Sequence, residues 1–352
     1  MKVLSGSTDQ CSKTTSREVD GVSAQSEVVG ETIPEYVAIQ SIRGQANMYA
    51  EHDALMKTEK HIWRCNRYPD KNRNPASVCY NEGAVELGTA NKKEEKLDKD
   101  QTYINANHLR SPLGHYILAQ APMANTIVEW FRMIWQLRIV IVVCLVDPDN
   151  PAVCERYFRT SEGGSLKVKH RFHVRTISVR EEDYGITNYE LRLTNKLSAE
   201  KHRTLYVISM PTKVSEPVPP RKQLKLVSEL WATQTATTCF VEENEPAPIL
   251  VHGCTGCSRT AAFVATCMLC KSLDTRGEMA PVEVWARLNN ARHNAAKEKI
   301  HFLSSIECAL AYAVDIGILP YNCPQLALVT KMIHAGYDEE RRKTRHPSAS
   351  RE

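Results

Sequence analysis

The chain has 352 residues, 42% of them hydrophobic, enough to bury a large core in one big domain or two ordinary ones without a staple. Its net charge of +4, from 45 basic and 41 acidic residues, gives no electrostatic case for nucleic acid, and no nucleic-acid partner is expected. An N-terminus without an apolar signal region, a longest apolar block (Ile139 to Val146) too short for a membrane span, and 12 cysteines that read as reduced thiols predict a soluble cytoplasmic protein.

Residues 1–32 are rich in Ser, Thr, Gly and charge and lack aromatics, so they are read as a disordered N-terminal segment. From Ile33 to about His61 the pattern is helical, with Ile42, Tyr49 and Met56 recurring every two turns beside Met48 and Leu55. Asn81 to Asp100 is polar and charged and is expected to be a surface loop. Strands are predicted at Tyr116–Ala119, Ile139–Val146, Leu166–Arg175, Tyr189–Thr194, Thr204–Met210 and Ile249–His252. Helices are predicted at Thr126–Leu137, Leu224–Thr235, Thr260–Leu273, Val282–Asn294 and Phe302–Gly317. Strands interleaved with helices predict an α/β fold, a central twisted mixed sheet flanked by helices, over a domain at 33–320. Residues 321–352 are read as a C-terminal extension, frayed after Gly336 and ending in a solvated basic run, EERRKTRH.

The most informative stretch is Leu250 to Ala262, LVHGCTGCSRTAA. An apolar run ends in His252, a loop with Gly253 and Gly256 follows, and Arg259 opens an apolar helical run. A strand, a small-residue loop and a helix N-terminus form an anion cradle, because backbone N–H groups and the helix dipole converge there. Arg259 adds a planar grip suited to phosphate. The candidate phosphate-binding residues are therefore Cys254, Thr255, Gly256, Cys257, Ser258 and Arg259.

This stretch resembles the signature loop of the protein tyrosine phosphatases, V-H-C-S-A-G-x-G-R-T-G, with Val251, His252, Gly256, Arg259 and Thr260 matching. The resemblance runs in the family's order from about Arg64 to Pro320. Asn66-Arg67-Tyr68 with Asp70 is similar to N-R-Y-x-D, and Tyr103 to Asn107 to Y-I-N-A-S. Gln120-Ala121-Pro122 with Asn125-Thr126 and Trp130 to Trp135 resembles Q-G-P-x-x-N-T-x-x-x-F-W-R-M-x-W, and Cys154 to Phe158 resembles C-x-x-Y-W. The resemblance implies a phosphatase-type fold, Tyr68 stacking on a phosphotyrosine ring and Asp70 holding a peptide backbone. Trp130 and Trp135 are read as core, and Asn105 and Gln120 as structural hydrogen-bonders.

In the family a thiolate at the loop floor attacks phosphorus, an Asp protonates the leaving oxygen, and water cleaves the cysteinyl-phosphate. Here the position of the nucleophile holds Gly253. The W-P-D element aligns with Met210-Pro211-Thr212, and Glu216 is the one nearby substitute acid. A Lys expected before Cys154 is Val153, and the two Gln of Q-T-x-x-Q align with Ala295 and Lys299. With Gly253, Thr212 and Ala295 degenerate, the expected function is an inactive phosphotyrosine- or protein-binding pseudophosphatase in signalling. Its expected partner is a phosphotyrosine protein or another signalling protein, such as a kinase or its substrate. The alternative is an active or residual phosphatase using Cys254, although a one-residue slip would misplace the sulfur.

Cys254 and Cys257, followed by Cys267 and Cys270, also make two CxxC pairs. The nine residues between the pairs are few for a ribbon-type zinc site, and the second pair lies in an apolar helix, so structural thiols are expected, with no metal and no cofactor. A redox role for Cys254 and Cys257 at a helix N-terminus is a separate hypothesis.

Overall fold

A computed structural model describes residues 30–55, 60–213, 216–238 and 246–345. In chain order these form β1 (Glu31–Thr32), α1 (Ile33–Arg43), α2 (Gln45–Leu55), α3 (Trp63–Arg67), β2 (Ala84–Glu86), α4 (Lys92–Asp98), β3 (Tyr103–Ser111), β4 (Gly114–Gln120), α5 (Ile127–Gln136) and β5 (Ile141–Cys144). There follow β6 (Ser165–Val168), β7 (Phe172–Glu182), β8 (Ile186–Asn195), β9 (Arg203–Ser209), α6 (Pro220–Thr238), β10 (Ile249–Gly253), α7 (Ser258–Arg276), β11 (Glu278–Met279), α8 (Pro281–Ala291), α9 (Lys299–Asp315) and α10 (Pro324–Arg345).

The main sheet has the order β2-β3-β4-β10-β5-β9-β8-β7-β6. Its centre, β4, β10, β5 and β9, is parallel, and antiparallel strands extend it on both sides. Central strands covered on both faces read as unbroken apolar runs, as in Ile249 to Val251 and Ile141 to Cys144. Their side chains alternate between two cores. Val251, Val143 and Leu118 pack under α7 and its neighbouring helices, while Leu250, Val142 and Ile117 pack under α5 with Trp130, Tyr157 and Phe172. The result is a twisted mixed sheet flanked by helices.

Several expectations need correction. Residues 1–29 and Met56 lie outside the described residues, but Glu31 and Thr32 pair with Met279 and Glu278 and so belong to a two-stranded ladder. The helical stretch after Ile33 breaks at Gly44, and Ile42 is 86% exposed while Met48 and Leu55 are buried. Asn81 to Asp100 is not simply a loop: it contributes β2 and α4. Asn91 caps α4 by accepting from the amides of Lys93 and Glu94, and buried Glu94 and Asp98 pair with Arg171, Asp98 also with Arg132.

Leu166–Arg175 is two strands, not one. Lys169 and His170 turn the chain at φ of 42° and 58°, the pair of positive values that a tight hairpin demands. The segment after Gly336 is helical through Arg345. Val329, Ile333 and Tyr337 of α10 recur every fourth residue and are buried on the domain, and the Tyr49 hydroxyl donates to Glu339 at 3.0 Å.

Candidate functional site

The loop Cys254–Cys257 leaves the carboxyl end of β10, between β4 and β5, and runs into the 19-residue helix α7. This is the crevice position where open α/β sheets bind ligands. Among the described residues, no protein acceptor takes a hydrogen bond from the amides of Cys254 to Arg259. Gly256 lies at φ +69°, and a Cβ on it would sit 2.2 Å from the carbonyl of Ala119, so only glycine lets the loop lie against β4.

Arg292, fully buried just after α8, fixes the other side of the loop. Its Nε donates to Gly256 O at 3.1 Å, Nη2 to Thr255 O at 2.9 Å and Nη1 to Asn107 Oδ1 at 2.9 Å. A planar trans peptide points its C=O and N–H in opposite directions. Holding Thr255 O and Gly256 O therefore turns the amides of Gly256 and Cys257 the other way. No sequence pattern marks Arg292 or Asn107 for this task.

Gly253 pairs in register with Gln120 on β4, and its carbonyl accepts from Ala121 at 2.9 Å. Apart from chain neighbours, a Cβ on Gly253 would meet one atom within 4 Å, the Thr260 hydroxyl at 3.0 Å. That hydroxyl is buried and has no hydrogen-bond partner among the described residues. Beside it, His252 is fully buried against Trp130, ring centroids 5.1 Å apart, with Nε2 3.0 Å from the Tyr157 hydroxyl. Burial pushes its pKa down to about 3, so the imidazole is neutral at physiological pH.

Arg259 is half-buried, and its Nη1 donates to Thr212 O. Thr212 itself is turned toward the sheet: its amide and its hydroxyl both donate to Leu145 O, at 3.2 and 3.1 Å. Glu216 is exposed and pairs with Lys213 at 3.6 Å. Cys254 packs against the core under α5, and Cys257 is buried. Cys267 and Cys270 are buried inside α7, where burial pushes both thiols up. Ser258 Oγ donates to Glu298 at 3.5 Å, and Glu298 pairs with His301 at 3.1 Å, which holds its carboxyl below the usual range. Neither carboxylate nor imidazole was legible as a neighbour of the loop.

Ala295 is fully buried, and Lys299 points away from the loop to Asp53, 2.9 Å from it, and to the Tyr49 ring. Tyr68 stacks on Tyr103 at 5.2 Å and 15°. The segment after Tyr68 is tied to the end of β4, because Gln120 accepts from the Arg73 amide at 2.7 Å and donates to Lys71 O at 3.1 Å. Asp70 is exposed, and its backbone carbonyl accepts from Asn125 at 2.8 Å. Asn105 donates to Asn72 and to Ser77 O, at 2.7 and 3.1 Å. The fold thus joins the loop directly to Thr212 and Arg292, and anchors the Tyr68–Asp70 segment to the strand alongside.

Residues 68–311 match the family model for the protein-tyrosine phosphatase domain. The chain is 30% identical over 220 residues to tyrosine-protein phosphatase non-receptor type 7 of Rattus norvegicus, covering 61% of this chain and 54% of the relative. It is 29% identical over 204 residues to the non-receptor type 5 enzyme of the same species, covering 55% and 51%. The chain spans about half the length of these curated relatives. Among solved structures, the catalytic domain of human protein tyrosine phosphatase non-receptor type 18 superposes with a TM-score of 0.65 at 18% identity, covering 78% of this chain and 97% of that one. PTPN18 in complex with HER2-pY1196 phosphopeptides gives 0.67 at 17% identity, covering 80% and 99%.

Proposed function

The chain belongs to the protein-tyrosine phosphatase family, and from that premise we propose that it is a pseudophosphatase that binds phosphotyrosine proteins in cytoplasmic signalling without hydrolysing them. The observation that carries the reading is the loop itself: the six successive amides of Cys254 to Arg259 have no protein acceptor among the described residues, and Gly253, just before them, offers no side chain. Such a cradle holds a dianion by charge-assisted hydrogen bonds. A glycine forms no covalent intermediate. Thr212, with its hydroxyl committed to Leu145 O, does not serve as an acid, and Ala295 does not orient water.

In this reading Cys254, Thr255, Gly256, Cys257, Ser258 and Arg259 hold the phosphate, and Tyr68 and Asp70 contact the ring and the peptide. One Nη1 donor of Arg259 is used on Thr212 O, which leaves the rest of the guanidinium for the ligand. Cys254 is partly buried with its side chain against the core under α5, which speaks against its acting as a substitute nucleophile.

Titration with a phosphotyrosine peptide and its unphosphorylated twin, in the wild type and Arg259→Ala, tests the binding. The expected result is preference for the phosphopeptide in the wild type and its loss in the variant. Equal affinity in both proteins removes phosphate from the account. Turnover of p-nitrophenyl phosphate that disappears in Cys254→Ser overturns the inactivity.

A further inference from the structure

One face of the sheet carries charge that the fold does not use. In β7 and β8 the inward residues Val174, Leu191 and Leu193 pack in the core under α5, so their neighbours along each strand face outward. In register across that outer face stand Ser165, Arg175, Arg192 and Thr204, and one row further on Lys167, His173 and Thr194. Arg175 and Arg192 are exposed and directly opposite each other, a placement of like charges that destabilises a sheet. Lys169 in the β6–β7 turn, Lys196 just after β8 and Lys201 just before β9 are also exposed and extend the charge around the end of the strands. None of these cations forms an ion pair among the described residues. Glu200 is taken by Arg203 and Glu190 accepts from Ser178, which leaves Glu162 at the margin. Helix α6 does not cover the patch: its Glu229 reaches Arg180 and Asn188, in the other half of the strands. A chain of net charge +4 therefore concentrates unpaired positive charge on one sheet face.

We infer that this face docks the protein on an anionic lipid surface. A sheet presents its side chains side by side in two dimensions, which suits a plane of headgroups, and Lys and Arg near such a plane are drawn to its negative potential. The outward residues between the cations are Ser165, His173, Thr194 and Thr204, with no Phe, Tyr or Trp on which a nucleic-acid base would stack. The contact is peripheral, since among the described residues no helix is long and apolar enough to cross a membrane. Strand β9 runs parallel to β5, and β5 to β10. The start of β9, with the patch around it, thus lies at the opposite end of the strands from the loop that follows β10, about 20 Å away along the seven residues of β9. A protein docked by this face keeps the Cys254–Arg259 loop turned away from the lipid.

Sedimentation of the full chain with phosphatidylcholine vesicles, with and without about a third phosphatidylserine, tests the docking. The expected result is binding to the anionic vesicles alone, lost at about 1 M salt, where charges are screened beyond about 3 Å. Each Lys or Arg near such a surface adds about fivefold in affinity. Arg175→Glu/Arg192→Glu should therefore weaken binding about thirtyfold or more. Arg221→Glu/Lys331→Glu makes the same charge change at exposed positions elsewhere and should weaken it by less than about fivefold. Arg175→Glu alone sets opposite charges across the ladder, so its melting temperature should stay at or above that of the wild type while vesicle affinity falls. That outcome separates a lost surface from a lost fold. Wild-type protein that ignores phosphatidylserine, or equal losses in the two double variants, overturns the docking face. Tighter binding to RNA or DNA than to vesicles at equal phosphate concentration gives the face to nucleic acid and overturns the lipid reading too.

Discussion

Placing a thiol on the floor of the loop, in Gly253→Cys, is expected to restore the first half of a phosphatase reaction and little of the second. The new Cβ lies 3.0 Å from the Thr260 hydroxyl, a few tenths of an ångström tight, and meets no other atom within 4 Å apart from its chain neighbours. Off-rotamer strain of about 0.5–1.5 kcal/mol is offset by the lower entropy of the unfolded chain, about 0.4–1 kcal/mol, and by a hydrogen bond for an unmet hydroxyl, about 0.5–1.5 kcal/mol. Stability should therefore stay within about 1 kcal/mol of the wild type, a melting shift of a few degrees at most. The chemistry is limited elsewhere. With Thr212 bonded to Leu145 O, the position of the family's acid has no carboxyl to protonate the leaving oxygen, and general acid catalysis is worth about 10²–10⁴ in rate, or about 3–5 kcal/mol. The variant should give a burst of p-nitrophenolate close to one equivalent, because that leaving group departs unprotonated, followed by slow turnover. Phosphotyrosine peptide should react far more slowly. Adding Thr212→Asp should then raise the phosphotyrosine rate by about 10²–10⁴ and the nitrophenyl rate by less than about tenfold. A folded, peptide-binding Gly253→Cys protein with no burst would refute the claim that the cradle is intact. An equal gain on both esters from Thr212→Asp would refute the assignment of the missing acid.

Three further outcomes follow from the same geometry. Arg292→Met takes the guanidinium from Thr255 O, Gly256 O and Asn107. Thr255 O and Asn107 keep the thiols of Cys257 and Cys79, but Gly256 O is left without a donor among the described residues, at about 1–3 kcal/mol, so urea unfolding should show a loss of that order and phosphopeptide affinity should fall with it. Ile333→Ala, in a fully buried position of α10, should cost about 2–5 kcal/mol while leaving the affinity of the remaining folded protein unchanged, which separates the helix from the site. The third concerns acid. Burial depresses His252 to about 3 from its ordinary 6.5, so the unfolded chain binds a proton that the folded chain refuses. Stability from this residue is complete above about pH 6.5 and declines as pH falls toward 3, by up to about 1.4 kcal/mol per unit. His252→Gln should flatten the acid limb of the stability curve between pH 6 and 4 by about one proton. An unchanged slope would mean that His252 is not the group responsible.

What the sequence made legible follows from how each element is stabilised. The central strands are recognisable because burial on both faces leaves an unbroken apolar run, as at Ile139 to Val146 and Ile249 to His252. The turn at Lys169 and His170 is hidden because neither residue is the Gly or Asn that positive φ favours, so the pattern looks like one strand where the chain doubles back. Helix α4 is hidden because its inward residues, Glu94 and Asp98, are charged, and the arginines that neutralise them arrive from distant strands and helices. In α10 the buried stripe of Val329, Ile333 and Tyr337 is outnumbered by charge. At the site, Gly253, Thr212 and Arg259 are visible in the sequence as positions in a motif. Arg292 and Glu298 are not, because their work is done on backbone atoms and on a serine hydroxyl from another element.

The two clamps on the loop, Gly256 against Ala119 and Arg292 on the carbonyls behind it, have a consequence for how such a chain changes over time. Neither clamp touches the residue that would perform a reaction. Recognition is written in main-chain directions, whereas turnover depends on three replaceable side chains. On the proposed reading, a lineage can therefore shed catalysis by single substitutions and keep the backbone that holds the modified residue.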